Sequence, residues 1–120
     1  MGMKWIVKHG AGAVRTGTLS DANGAIDLTN KTVTLNVRQS LSGTNAISAH
    51  AVSNAANQTT TGKGDISCTF TQGEIDALTA KQYYMEFKVD SGAGVIDFIP
   101  LAEEDADAYG KLIVKRSFIV

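Results

Sequence analysis

The sequence predicts an all-β fold, an antiparallel Greek-key sandwich of two sheets with one short helix at about residues 72–79. Three observations carry this prediction: segments in which apolar and polar residues alternate, turn signals between them, and a capping motif for a short helix. The chain has 120 residues, of which 43% are apolar and 19% charged, and it contains 12 glycines. Since this composition suits one hydrophobic core with many turns, we expect residues 1–120 to form a single domain.

Three segments alternate with the period of a half-buried strand. They are residues 32–38, 64–71 and 82–90. Their apolar positions are Val33, Leu35 and Val37, then Ile66, Cys68 and Phe70, and finally Tyr83, Met85, Phe87 and Val89. Because successive side chains of a strand point to opposite faces, each set is expected to face the core.

Turn residues separate the alternating segments. The pair Asn23-Gly24 is a strong hairpin signal, and the turn DSGAG predicts a hairpin between residues 82–90 and residues 95–100. Weaker strand candidates lie at 4–9, 47–52 and 111–120, and loops are expected at 53–64 and 101–110. The stretch HGAGAV at 9–14 is expected to be flexible chain.

The short helix is predicted from a capping box. Thr71 and Glu74 are three residues apart, so that each side chain can bind a backbone N–H of the first turn. Ile75 and Leu78 then share one helical face. A helix this short is unstable alone, so we expect its two apolar side chains to plug one end of the sandwich where the chain crosses between sheets.

A crossing of this kind indicates an immunoglobulin-like sandwich. Such folds often place a tyrosine near the start of strand F, with its hydroxyl bonded back to the corner backbone. Tyr83 and Tyr84 both stand near this position, and alternation favours Tyr83 as the buried one. The only cysteine, Cys68, excludes an intramolecular disulfide and is expected to be a buried small hydrophobe.

The order of these pieces resembles the N-terminal immunoglobulin-like domain of phage baseplate upper proteins. The pieces are DANG at 21–24, IDLT at 26–29, TVTLNVR at 32–38, GKGDISCTFT at 62–71, EIDAL at 74–78, YYMEFKV at 83–89 and GVIDFIP at 94–100. The resemblance covers roughly residues 15–100. It implies a virion tail component that is assembled in the cytoplasm of the bacterial host, with other tail or baseplate subunits as partners and no active site.

The residues themselves also indicate no enzyme, no cofactor and no metal site. His9 and His50 have no further ligand at metal-binding spacing and are expected on the surface. A thiol on an inward strand face, as expected for Cys68, is a poor nucleophile. In DADAYGK, at 105–111, a calcium loop would need a glutamate where Arg116 stands, so a solvated acidic loop is expected.

Charge and hydropathy exclude two further classes of partner. The formal net charge is -1 and no basic stripe is visible along the sequence, so nucleic-acid binding is not expected. No apolar run approaches the roughly 20 residues that span a bilayer. The N-terminal apolar run is also shorter than a signal-peptide core. The sequence therefore predicts a soluble, unprocessed chain without membrane insertion.

The last segment, KLIVKRSFIV, has apolar residues at both odd and even positions, so both faces of a strand there would be apolar. This pattern predicts an interface. The candidate interface residues are Leu112, Ile113, Val114, Phe118 and Ile119. An edge strand of this kind invites association unless it is covered. Strand exchange with a neighbouring subunit, giving a homo-oligomer, is one interpretation. The other is an ordinary last strand, with one face closed by the N-terminal arm.

Two functions remain open on the sequence. The first is a non-enzymatic assembly module of a phage tail or baseplate that acts through protein–protein contacts. The second is a carbohydrate- or host-surface-binding sandwich that uses Tyr84, Tyr109 and the 53–64 loop. Sugar platforms need exposed aromatic rings, and the alternation assigns most aromatic residues to the core, which favours assembly.

Overall fold

The computed structural model describes residues 3–21, 24–40, 43–54, 58, 62–99 and 109–117. The elements are β1 (Lys4–Lys8), β2 (Ala13–Thr18), β3 (Ser20–Asp21), β4 (Gly24–Ala25), β5 (Thr32–Arg38), β6 (Asn45–Asn54), β7 (Asp65–Phe70), α1 (Gln72–Asp76), β8 (Gln82–Asp90), β9 (Ile96–Ile99) and β10 (Gly110–Lys115). The all-β prediction is confirmed.

The strands follow an immunoglobulin-like order. One layer, sheet A, runs β1-β10-β8-β5-β6, and the other, sheet B, runs β6-β7-β2. Strand β6 belongs to both layers, because its earlier residues pair with β5 and its last two, Ser53 and Asn54, pair with β7. Strands β9 and β10 lie end to end along one side of β8, and both are antiparallel to it.

One pairing departs from the antiparallel prediction. Strand β1 pairs in parallel with β10 at one end of sheet A, while β2 ends sheet B. Side-chain hydrogen bonds connect β1 and β2, the outermost strands of the two layers. The indole Nε1 of Trp5 donates to the carbonyl of Thr16 at 3.1 Å, and the Arg15 guanidinium donates twice to the carbonyl of Ile6 at 2.8 and 3.1 Å. These bonds occupy backbone acceptors that would otherwise lie at open sheet edges.

The core lies between the two layers and contains every apolar position predicted from the three alternating segments. The other buried core residues are Trp5 and Val7 of β1, Leu112 and Val114 of β10, Ile75 of α1, and Leu19, Leu28 and Leu78. Trp5 packs edge-on against two other aromatic rings, Phe70 and Phe87. Both ends of the chain thus contribute to a single core.

The capping box at α1 is confirmed in both directions. The N–H of Glu74 donates to the Thr71 hydroxyl at 3.2 Å, and the N–H of Thr71 donates to the Glu74 carboxylate at 2.8 Å. The helix ends at Asp76, earlier than the predicted residue 79. The N–H of Leu78 donates to the carbonyl of Ile75, three residues back, and this turn terminates the α-helical pattern. Ile75 and Leu78 are both buried, as predicted.

The tyrosine at the corner is also confirmed. Tyr83 is buried, and its hydroxyl donates to the carbonyl of Thr79 at 3.1 Å. This bond ties the start of β8 to the segment that follows α1, which fixes the crossing between the two layers.

Strand β2 was not expected. Residues 9–14 were predicted to be flexible, yet β2 begins at Ala13 and pairs along its length with β7. Its one large apolar residue, Val14, points to solvent, so that local alternation gave no signal. The hairpin near Asn23-Gly24 forms between β3 and β4 with Asp21 opposite Gly24. Residue 23 itself and most of the predicted 101–110 loop lie outside the described residues.

Candidate functional site

The predicted interface at residues 111–120 divides into three parts. Leu112 and Val114 are 1% and 2% exposed and lie in the core of their own chain. This corrects their placement on a surface, because β10 is held between β8 and β1 as an internal strand. Ile113 points outward and is half-buried. Phe118 and Ile119 lie outside the described residues, and exchange of the segment stays a prediction.

The outward face of β1 and β10 carries a lysine-framed patch, defined here as Lys4, Ile6, Lys8, Lys111, Ile113 and Lys115. The pentapeptides KWIVK and KLIVK differ at one position and pair in parallel in register. Each lysine therefore lies beside a lysine, and Ile6 lies beside Ile113. The sequence contained this signal as a short repeat, which an inspection for long repeat periods does not detect.

A second surface lies at the far end of sheet A. The hairpin patch is defined as Val95, Ile96 and Phe98, whose side chains are 60%, 43% and 38% exposed. Strand β9 pairs with β8 alone, and no other described residue bonds its outer backbone edge. An unpaired edge with exposed apolar side chains favours association with another chain.

The two tyrosines of the carbohydrate-binding alternative lie together on the outer face of sheet A. The rings of Tyr84 and Tyr109 meet edge-on with centroids 6.2 Å apart. The Lys111 ammonium lies 5.0 Å from the centroid of Tyr84 and donates to the carbonyl of Tyr109 at 2.8 Å. Tyr109 is buried. Because a cation covers one ring and the protein covers the other, the pair offers little open stacking surface for a sugar.

A shallow polar groove of about 520 Å³ crosses the outer face of sheet B. Small hydroxyl side chains line it, with Thr16, Ser67 and Ser53 side by side on three adjacent strands. The carboxylate of Asp65 in this groove already accepts a hydrogen bond from the Thr18 hydroxyl at 2.7 Å. The groove contains no aromatic side chain among its described lining residues.

The structure also brings together a cysteine, a histidine and a carboxylate. Nε2 of His50 donates to the Glu74 carboxylate at 3.0 Å. Nδ1 of the same ring lies 3.5 Å from Sγ of Cys68 and 2.9 Å from the carbonyl of Ala51. A neutral imidazole has one N–H, so it donates either to the Glu74 carboxylate through Nε2 or to the carbonyl of Ala51 through Nδ1. A thiol, an imidazole and a carboxylate are groups that nucleophilic cysteine catalysis uses.

A bulge in β6 turns His50 toward the interior. Two residues, Ser48 and Ala49, stand opposite Asn36 of β5, and the side chain of Asn36 accepts from the N–H of Ala49 at 2.9 Å. Ala49 adopts a left-handed conformation with φ of 51°. The expected surface position of His50 is therefore wrong, because its side chain is only 10% exposed. A bulge re-aims side chains in this way, and the sequence showed no sign of it.

Burial argues against catalysis by this group. Cys68 is fully buried, so that a substrate carbonyl cannot reach its sulfur. Desolvation, together with the nearby charge of Glu74, raises the pKa of the Cys68 thiol to about 12. Since the thiolate is the nucleophile, the thiol is almost wholly protonated near neutral pH.

We expect Cys68 to resist alkylation in the folded protein. At pH 7.5, reaction of native protein with iodoacetamide should be at least ~100-fold slower than reaction in 6 M urea, because both burial and the raised pKa suppress the thiolate. Mass spectrometry of timed samples measures the rate. Native labelling as fast as that of the unfolded chain would show that α1 opens readily above the thiol.

Acid should weaken the contacts at α1. Partial burial acts to raise the pKa of Glu74, but hydrogen bonds from Thr71 and His50 outweigh it and lower that pKa. A lowered carboxylate pKa contributes stability that is present above the unfolded value of about 4.3 and is lost as pH falls through the folded pKa. We therefore expect Glu74→Gln to be less stable than wild type at pH 6.5, by less than about 1 kcal/mol.

Urea unfolding at pH 6.5 and pH 3 measures this difference. The gap between wild type and Glu74→Gln should shrink at pH 3, whereas Glu86→Gln serves as the control for loss of a carboxylate elsewhere. A gap that stays constant between the two pH values would contradict the assignment to Glu74.

Within the described residues, no three histidine, cysteine or acidic side chains are grouped so as to hold a metal ion. No helix in this part of the chain is long and apolar enough to cross a membrane. Comparison of the sequence with models of protein families and with curated proteins gave no match.

Proposed function

We propose that the chain is a non-enzymatic structural module of a bacteriophage tail or baseplate, and that it acts through protein–protein contacts. The observation that carries the proposal is the hairpin patch on β9, a strand that pairs with β8 alone among the described strands. The resemblance of residues 15–100 to baseplate upper proteins names the kind of assembly.

The partner that binds the hairpin patch is another protein subunit of the same assembly. Within the described residues, the outer backbone edge of β9 is unpaired, and its N–H and C=O groups can pair with an added strand. Ile96 and Phe98 lie on one face of that edge and can bury apolar surface at the same time. This combination of directional bonds and apolar contact suits a protein partner better than a small soluble ligand.

Co-expression with the products of the flanking genes tests the proposal. A tail or baseplate neighbour should co-elute with the wild-type chain in size-exclusion chromatography. The double variant Ile96→Ser/Phe98→Ser should lose this co-elution and keep its far-ultraviolet circular dichroism spectrum. Val14→Ser, which removes an exposed apolar side chain from β2, is the matched control and should still co-elute.

A glycan array tests the alternative function, carbohydrate binding. A specific micromolar glycan, together with no co-eluting neighbour, would overturn the assembly proposal in favour of the carbohydrate-binding module. The polar groove on sheet B and the Tyr84–Tyr109 pair are the places to map such a ligand.

A further inference from the structure

Both ring nitrogens of His50 face oxygen atoms that can accept a hydrogen bond but cannot donate one. Nε2 lies 3.0 Å from the Glu74 carboxylate, and Nδ1 lies 2.9 Å from the backbone carbonyl of Ala51. An ionised carboxylate and a peptide carbonyl carry no proton. Each contact is therefore a hydrogen bond only when the imidazole nitrogen carries the proton.

A neutral ring cannot make both bonds, because it has a single N–H. With the proton on Nε2, the lone pair of Nδ1 faces the carbonyl of Ala51. With the proton on Nδ1, the lone pair of Nε2 faces the negative charge of Glu74. The doubly protonated imidazolium donates to both oxygens, so the charged form of the ring is the one that satisfies this geometry.

The carboxylate beside Nε2 is ionised wherever imidazole titrates. Its Oε1 accepts from the N–H of Thr71 at 2.8 Å, and its Oε2 faces His50. Partial burial acts to raise the pKa of Glu74, but the hydrogen bonds from Thr71 and His50 outweigh it and lower that pKa. A fixed anion therefore lies beside the ring throughout the pH range around 6.5 in which an imidazole changes its charge.

The other groups that face the ring do not oppose its positive charge. Sγ of Cys68, on β7, lies 3.5 Å from Nδ1. Burial, together with the charge of Glu74, raises the pKa of this thiol to about 12, so it is neutral here, and its sulfur is a weak acceptor for an N–H. Strand β5 places Leu35 opposite His50, and the ring of Phe70 packs against the imidazole. In the described part of the chain, the titratable groups facing the ring are thus Glu74 and Cys68.

The two bonds of the charged ring connect a strand to the helix that plugs the sandwich. His50 follows the bulge at Ala49 in β6, and Glu74 lies in the first turn of α1. A helix of five residues depends on tertiary contacts for its stability. Loss of one proton from the ring removes one of the two bonds, so the hold of β6 on α1 weakens.

We propose that His50, Glu74 and the carbonyl of Ala51 form a proton latch, in which the charged imidazole bonds α1 to β6 and loss of one proton as pH rises loosens α1 and exposes Cys68. This inference is independent of the proposed assembly function. The stability that the latch contributes is present below the ordinary imidazole value of about pH 6.5 and is lost as pH rises above it.

Proton NMR of the purified full chain reads the two bonds directly. At pH 5.5, both ring N–H protons of His50 should be visible, because both are hydrogen-bonded and the side chain is only 10% exposed. One of them should disappear by pH 8.0. His9, the other histidine of the chain, is the internal control, since its described bond joins Nε2 alone to the carbonyl of Leu78 at 2.7 Å.

Urea unfolding at pH 5.5 and pH 8.0 measures the contribution of the latch. The unfolding constant of wild type relative to that of His50→Gln should rise between these pH values by roughly two- to tenfold, the effect of one net hydrogen bond. Glu74→Gln removes the anion and should likewise take away this pH dependence. His9→Gln keeps a donor for the carbonyl of Leu78 and should follow wild type at both pH values.

Labelling of Cys68 with iodoacetamide follows the opening itself. The rate in native protein, divided by the rate in 6 M urea at the same pH, should rise roughly two- to tenfold from pH 5.5 to pH 8.0 in wild type. The same ratio should stay constant in Glu74→Gln. Circular dichroism spectra check that each variant keeps the fold.

Three outcomes would overturn the inference. The first is a ratio of wild-type to His50→Gln unfolding constants that does not change with pH. The second is a loss of the pH dependence in His9→Gln, which would assign it to the other histidine. The third is a labelling ratio of Cys68 that is the same at both pH values, which would mean that α1 is not loosened. Each of these results leaves co-elution with a tail neighbour, and thus the proposed function, to be decided separately.

Discussion

Replacement of Trp5 by alanine is expected to destabilise the fold by about 3–5 kcal/mol, the usual cost of removing a buried aromatic side chain. The indole is almost fully buried and packs edge-on against Phe70 at 6.1 Å and Phe87 at 6.0 Å between ring centroids. Its Nε1 also donates to the carbonyl of Thr16 across the seam between β1 and β2. The substitution therefore opens a cavity and removes a bond that holds the first strand in place.

Urea unfolding followed by far-ultraviolet circular dichroism measures this loss, because the variant no longer contains the chain's single tryptophan as a fluorescent probe. Trp5→Phe is the matched control. It keeps an aromatic ring between Phe70 and Phe87 but loses the donor to Thr16, and we expect a cost of about 1–2 kcal/mol. A loss below 1 kcal/mol for the alanine variant would mean that β1 is not part of the cooperative core.

Gly64→Ala is expected to cost about 3 kcal/mol or more, through two separate effects. Gly64 has a φ of 80°, a left-handed conformation that costs a non-glycine residue about 1–2 kcal/mol. A Cβ there would also lie 2.6 Å from the carbonyl oxygen of Leu19, which is backbone and cannot rotate away. Gly64 is fixed on both sides, since its carbonyl accepts from the N–H of Leu19 and its N–H donates to Gln58.

The hairpin between β8 and β9 supplies controls for the second effect. Gly92 and Gly94 have φ of 82° and 85°, but a Cβ at either position would meet no atom within 4 Å. Alanine at these positions should therefore cost only the conformational term, about 1–2 kcal/mol. Chemical unfolding of the three variants separates the two effects. Equal losses at all three positions would show that the strand ends near Leu19 move apart without cost.

Local patterns predicted the central strands, the capping box and the corner tyrosine. Val33, Leu35 and Val37 face the core because period-two alternation fixes the buried face of a strand regardless of its partner. The Thr71–Glu74 box formed because its donors and acceptors lie within one turn. Each of these features depends on residues close together in the chain.

Features that depend on distant residues were missed or placed wrongly. Strand β2 has no apolar alternation and exists because β7 supplies its hydrogen bonds. His50 turns inward because of the bulge at Ala49, which forms only when β5 and β6 pair. Leu112 and Val114 were assigned to an interface because the last segment has apolar residues at both odd and even positions. In the structure the even positions of β10 face the core and the odd positions face outward.

By itself, the sequence determined the all-β class, the inward face of each alternating strand and the helical plug between the layers, since these follow from the period and chemistry of neighbouring residues. Only the tertiary structure decided that KWIVK lies beside KLIVK, that β9 pairs with β8 alone among the described strands, and that Cys68, His50 and Glu74 meet. The physical reason is that strand pairing is set by backbone bonds and packing between segments far apart in the chain. Such pairing leaves almost no local trace, although it defines the surfaces on which the proposed assembly depends.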